Sequence, residues 1–106
     1  MDLAVSLVVA CGGGIFTTTV VTDKLKEILR KNRIANTITP QKITQIPGIT
    51  GADLIIVTGK TSAKNNAGIP IMIGMPLFTG MGEEEFTNEL LNKIREIEER
   101  KNNDNG

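Results

Sequence analysis

Hydrophobic and polar residues alternate along this chain with two periods, and each period marks a kind of element. Leu3 to Ala10 is a nearly continuous apolar run rich in valine, the pattern of a strand buried on both faces of a parallel sheet. The glycine-rich stretch CGGGIF follows at once. Beyond it Val20, Val21, Leu25, Ile28 and Leu29 recur at helical spacing, with Lys24, Lys26, Glu27, Arg30 and Lys31 at the other positions. This predicts an amphipathic helix starting near Thr17 to Thr19. Its basic residues crowd the C-terminal half, where they complement the helix dipole.

Ile34 to Thr39 alternates as a second strand, which Pro40 is expected to end. Gln41 to Ile46 reads as one helical turn stopped by Pro47 and Gly48. Asp53 to Thr58, with the core LIIV, predicts an interior strand, and Ile69 to Ile73 a shorter fourth one. The polar loop GKTSAKNNAG separates them. The segment GMPLFTGMG then leads to a closing helix, in which Phe86, Leu90, Leu91, Ile94 and Ile97 mark the buried stripe. Glu83 to Glu85 suit its first turn, and Arg100 and Lys101 its end. The domain is therefore expected over 1–100. Residues 101–106 have nothing to bury and form an expected disordered polar tail. Strands alternating with helical or connecting segments favour a single-domain open α/β sheet of four mostly parallel strands, with helices on both faces. The expected strand order is 2-1-3-4.

Composition narrows the chemistry. At 106 residues and 40% apolar content the chain suits one domain with one core. Twelve basic and twelve acidic side chains cancel, and neither sign forms the stripe that nucleic-acid binding uses, so no nucleic-acid partner is expected. No apolar stretch approaches the roughly 20 residues needed to cross a bilayer, so no membrane insertion is expected. One cysteine and no histidine rule out an internal disulfide and the common zinc sets, and no metal or cofactor is assigned. Histidine chemistry, if any, must come from another protein.

Cys11 stands at the carboxyl end of the first predicted strand, where open α/β sheets bind ligands. Gly12, Gly13 and Gly14 remove side chains that would obstruct approach, and their loop can gather backbone N–H groups around a tetrahedral oxyanion. Ile15 and Phe16 follow, and Thr17, Thr18 and Thr19 offer hydroxyls either as helix caps or as phosphate ligands. A helix start favours negative charge, which makes a thiolate there a competent nucleophile. A buried structural cysteine is the alternative. The loop lacks the Gly-Lys of a nucleotide-binding loop, and Phe16 and Thr17 stand where GxGxxG would need its last glycine. A cysteine phosphatase would carry arginine six residues after the nucleophile, and here that residue is Thr17. Without the guanidinium clamp, an attached phosphoryl group would be held by amides and hydroxyls and passed on.

Three segments, VVACGGGIFTTTVVTDKLKEIL, DLIIVT and GIPIMIGMPLFTGMG, together resemble the enzyme IIB components of the bacterial sugar phosphotransferase system (PTS), galactitol type. The resemblance runs from Leu3 to about Ile97. It departs from the pattern at Phe16, where a smaller residue is expected, and in the longer polar tail. It implies a four-stranded parallel sheet like that of low-molecular-weight tyrosine phosphatases, and a phosphotransferase activity centred on Cys11. The phosphoryl donor would be a phosphohistidine on a IIA partner. The acceptor would be a sugar or alditol bound by a membrane IIC partner, with this chain cytoplasmic at the inner face of the membrane. Phosphate-binding residues would then be Gly12 to Thr19, and Phe16, Pro76, Leu77 and Phe78 would meet the partners. Competing readings are a small cysteine phosphatase or arsenate reductase, and a non-catalytic anion-binding or redox module.

Overall fold

The computed structural model describes residues 4–12, 15–59 and 63–104, and for 15–18 and 101–104 the backbone path only. Strand β1 (Val5–Cys11) leads to helix α1 (Ile15–Lys31), then β2 (Asn36–Lys42) and a 3-10 helix (Ile43–Gly48). Strands β3 (Leu54–Val57) and β4 (Ile71–Ile73) follow, then α2 (Met75–Thr79) and α3 (Glu83–Asp104). The four strands form one sheet in the order β2-β1-β3-β4, and every pairing is parallel. Strand number, direction and order are those predicted from the sequence.

Period-two alternation assigns the two faces. Val5, Leu7 and Val9 of β1 and Leu54 and Ile56 of β3 point one way. Val8, Ala10, Ile55 and Val57 point the other. The first face is covered by Val21, Leu25 and Leu29 of α1, Leu77 of α2, and Phe86, Leu90, Ile94 and Ile97 of α3. The second receives Ile46 and Ile49, with Ile43, Ala63, Ile69 and Ile71 packed around them. Among the described residues helices thus lie on both faces, but unequally: three α-helices on one, a 3-10 helix on the other.

Several boundaries differ from the sequence reading. Pro40 does not end β2, which continues to Lys42. The strand is an edge, and there a proline whose nitrogen faces outward removes no ladder bond. Helix α1 begins at Ile15 rather than among the threonines. Thr17, Thr18 and Thr19 therefore lie inside the helix, and none is its N-cap. Segment 75–79 is a short helix rather than a connection. Residues 101–104, expected in the polar tail, continue α3, since extending an existing helix adds a hydrogen bond per residue ordered. Asn105 and Gly106 lie outside the described residues.

Two local devices fix the ends of elements. At the end of α1, the Ile34 N–H donates to the Leu29 carbonyl at 2.9 Å and the Arg33 N–H to that of Arg30 at 3.1 Å. With Arg33 at φ 54°, this is a Schellman cap, and it turns Ile34 back against the core. On the second face Asn65 does the work of an element. Its amide nitrogen donates to the carbonyls of Ile46 and Ile49, both at 2.8 Å. Its oxygen accepts from the N–H groups of Ala67 and Ile69 at 2.9 and 3.1 Å.

Candidate functional site

Cys11 is the last residue of the central strand β1 and is half-buried. The peptide that carries it is anchored from β3. Thr58, the buried polar residue among those described, donates both its N–H and its hydroxyl to the Ala10 carbonyl, at 2.9 and 3.3 Å. The thiol thus leaves the carboxyl edge of the sheet from a fixed frame. Helix α1 opens at Ile15, shortly after it. The N–H groups of that first helical turn have no partner within the helix, and the positive end of its dipole lies there.

Beside Cys11 runs a groove of about 540 Å³, lined by Cys11, Thr19, Thr22, Asp23, Lys26, Ile38 and Pro40. Its walls are one face of α1 and the end of β2. A slightly larger depression, about 590 Å³, opens at Ser6, Thr39, Gln41 and Thr44. It lies on the other face of the sheet and Cys11 does not line it, so the smaller groove is the one with access to the thiol.

Of the predicted site residues, Thr19 joins Cys11 in this groove, and Gly12 is exposed next to the cysteine. A Cβ at Gly12 would meet Ile43 Cδ1 at 3.7 Å, an ordinary contact, so space alone does not demand glycine there. Gly13 and Gly14 lie outside the described residues, as do the side chains of Ile15, Phe16, Thr17 and Thr18. Thr22, Asp23 and Lys26 escaped the sequence reading. Their spacing from Thr19 is that of one helix face, which would have found them once Thr19 was placed beside the thiol.

The GMP segment forms α2, which packs on α1. Gly74, which precedes it, is held close: a Cβ there would stand 2.6 Å from Ile56 Cγ2 and 3.3 Å from the Val57 carbonyl. The Gly74 N–H donates to that same carbonyl. Leu77, expected on the partner surface, is instead 1% exposed and part of the core, because α2 must bury one residue to seat on α1. Pro76 is half-buried, and Phe78 is 41% exposed. Ile73 and Met81 are exposed as well.

At the start of α3, Glu83 pairs with Lys24 of α1 at 3.0 Å, so one member of the acidic cluster is accounted for by a link between helices. Among the described residues no group of three or more His, Cys, Asp or Glu side chains could hold a metal ion. No described helix is long and apolar enough to cross a membrane.

Comparison with known proteins agrees with this geometry. Residues 6–89 match the family described as "PTS system, Lactose/Cellobiose specific IIB subunit". The galactitol-specific EIIB component of Escherichia coli K12 is 30% identical over 80% of this chain and 90% of its own length. That of Shigella flexneri is 29% identical over the same shares. Among solved structures, the lactose-specific IIB component domain of the PTS from Streptococcus pneumoniae superposes with a TM-score of 0.51. It covers 72% of this chain and 83% of that one at 17% identity, a likeness of fold. The chain belongs to the IIB components of the sugar phosphotransferase system, with galactitol-specific members among its relatives.

Proposed function

We propose that Cys11 carries a phosphoryl group between two partners. The observation that carries this reading is the placement of the chain's single cysteine at the carboxyl end of β1, opposite the opening of α1 and facing a groove. The thiol first gives its proton to solvent. The thiolate sulfur then attacks phosphorus on a phosphohistidine of a IIA protein. An S–P bond forms as the P–N bond breaks, and the electron pair returns to the imidazole nitrogen. In the second step a hydroxyl of a sugar or alditol held by a membrane IIC protein attacks phosphorus. The S–P bond breaks, the thiolate is regenerated, and the hydroxyl proton passes to a base of the partner or to water.

Phosphoryl oxygens are held by N–H groups of residues 12–18 and by the threonine hydroxyls, Thr19 among them. Positioning supplies most of the rate. Donor and acceptor contact Phe16, Pro76 and Phe78, and the chain works at the cytoplasmic face of the membrane beside its IIC partner. The carbohydrate is a galactitol-like alditol, as the names of the relatives suggest.

Incubation with a phosphorylated IIA donor, followed by peptide mass mapping, tests the proposal. One phosphoryl group is expected on Cys11, mapped at neutral to mildly alkaline pH because the S–P bond is labile in acid, and lost in Cys11→Ser. Label that persists in Cys11→Ser would sink it. In the same assay Phe78→Ala is expected to weaken donor binding, and equal half-saturation would remove Phe78 from the contact surface.

A further inference from the structure

We infer that Lys42 is the cation that compensates the negative charge of a phosphoryl group at Cys11, an inference that rests on the phosphocysteine reading above. In the parallel β1–β2 pair, Lys42 is the register partner of Cys11. Paired residues of neighbouring strands lie about 5 Å apart, and their side chains leave the same face of the sheet. Which face is settled by the residues before them. Leu7 pairs with Ile38, and both belong to the helical-side core. Val9 then pairs with Pro40, and two residues on Cys11 pairs with Lys42. Cys11, Ile38 and Pro40 line the same groove. The lysine therefore stands on the thiol's side of the sheet, at the carboxyl end.

Its charge is available there. Lys42 is exposed, and it enters into none of the ion pairs among the described residues. Its link to the 3-10 helix is made by the backbone, whose N–H donates to Gln45 Oε1 at 3.4 Å. A lysine has no acceptor with which to cap that helix. Lys42 does not itself line the groove, and among the described residues the charged groups that do are Asp23 and Lys26 of α1, of opposite sign and three residues apart, so they offset one another. Lys42 tips the balance to positive.

A thiolate approaching a phosphorylated imidazole is an anion approaching an anion. A cation beside the sulfur lowers that repulsion while the S–P bond forms, and afterwards pairs with the phosphoryl oxygens. Lysine does this as a point charge on a flexible stem. An arginine fork would grip two oxygens at once. The chain thus has a cation at the site despite Thr17 standing where a phosphatase keeps its arginine, and the looser hold suits a group that must leave with the next acceptor.

The test compares two alkylating reagents of similar reactivity and different charge. Cys11 in the full chain is reacted at neutral pH with iodoacetate, an anion, and with iodoacetamide, which is neutral. The ratio of the two rates is expected to fall roughly fivefold in Lys42→Gln, to return in Lys42→Arg, and to fall in the unsubstituted protein at high salt. Phosphoryl acceptance from the IIA donor should slow by a similar factor in Lys42→Gln, and the melting temperature should not change. An unchanged ratio in Lys42→Gln overturns the inference, and so does an equal fall in Lys42→Arg. If the unsubstituted protein accepts no phosphoryl group, the phosphocysteine reading fails, while the alkylation ratio still decides whether the charge of Lys42 acts at the thiol.

Discussion

The two faces of the sheet are held in different ways. On one, α1, α2 and α3 lay apolar stripes on Val5, Leu7, Val9, Leu54 and Ile56, and stability comes from buried area and close packing. On the other, a 3-10 helix and the segment before β4 supply a smaller cluster. They are tied down by the four hydrogen bonds of Asn65 and by one from the Asn66 N–H to the Pro47 carbonyl. Packing is spread over many residues, whereas a polar pin concentrates its contribution in one side chain. The candidate site draws on both: Cys11 and α1 come from the packed side, while Lys42 passes directly into the 3-10 helix.

The largest expected effect lies on the packed face. Leu25 is fully buried, and Leu25→Ala should cost about 3 kcal/mol, the lost transfer energy together with the cavity left behind. Urea unfolding should show one transition at a lower midpoint. A loss below about 1 kcal/mol would mean that the helical layer closes over the gap, and packing would not be the distributed term argued here.

Asn65→Asp is expected to be the next largest. The substitution keeps an oxygen for the Ala67 and Ile69 N–H groups but replaces the amide donor by a carboxylate oxygen facing the Ile46 and Ile49 carbonyls. Two bonds become repulsive contacts, at a cost of about 2 kcal/mol. The response should also be local. Amide exchange should quicken around Ile46 and Ile69 well before it does in α1 or α3. Uniform loss of protection across both faces would break the contrast between them.

The same contrast explains what could be read in the sequence. The packed face announced itself, because Leu25 and Leu29, or Leu90, Ile94 and Ile97, repeat with a helical period that leaves little choice of element. The second face left no such trace. In GKTSAKNNAG nothing periodic distinguishes Asn65 from Asn66, and only the folded chain shows that Asn65 faces two carbonyls. At the candidate site, Cys11 was legible because strand, glycines and helix are consecutive in the sequence. Lys42 was not, because its relation to Cys11 is a matter of strand register. Ending β2 at Pro40 removed the very residues that align them, and an edge strand is where that rule about proline relaxes. Thr58 was hidden for the same reason, being brought to Ala10 by the β1–β3 pairing.

The smallest expected effect tests whether surface charge adds to the packed face at all. On the outer side of α1, Glu27 meets Lys31 one turn on at 3.2 Å. The hydrogen bond from Lys31 and its positive charge hold the Glu27 carboxyl below its ordinary 4.5, with Lys24 and Arg30 adding to the effect. A folded-state value below the unfolded one means that the pair contributes above the unfolded value and that its contribution is lost as pH falls through the folded value. Both side chains are well exposed, so solvent screens the interaction strongly. Glu27→Gln should therefore lower the melting temperature slightly at neutral pH, and the curves of the two proteins should converge as pH drops below 4.5. Added salt at neutral pH should bring them together too. A difference that persisted in acid, or grew there, would show that Glu27 acts through helix propensity or packing rather than through its charge. The stability of the helical face would then rest still more fully on the buried stripe beneath it.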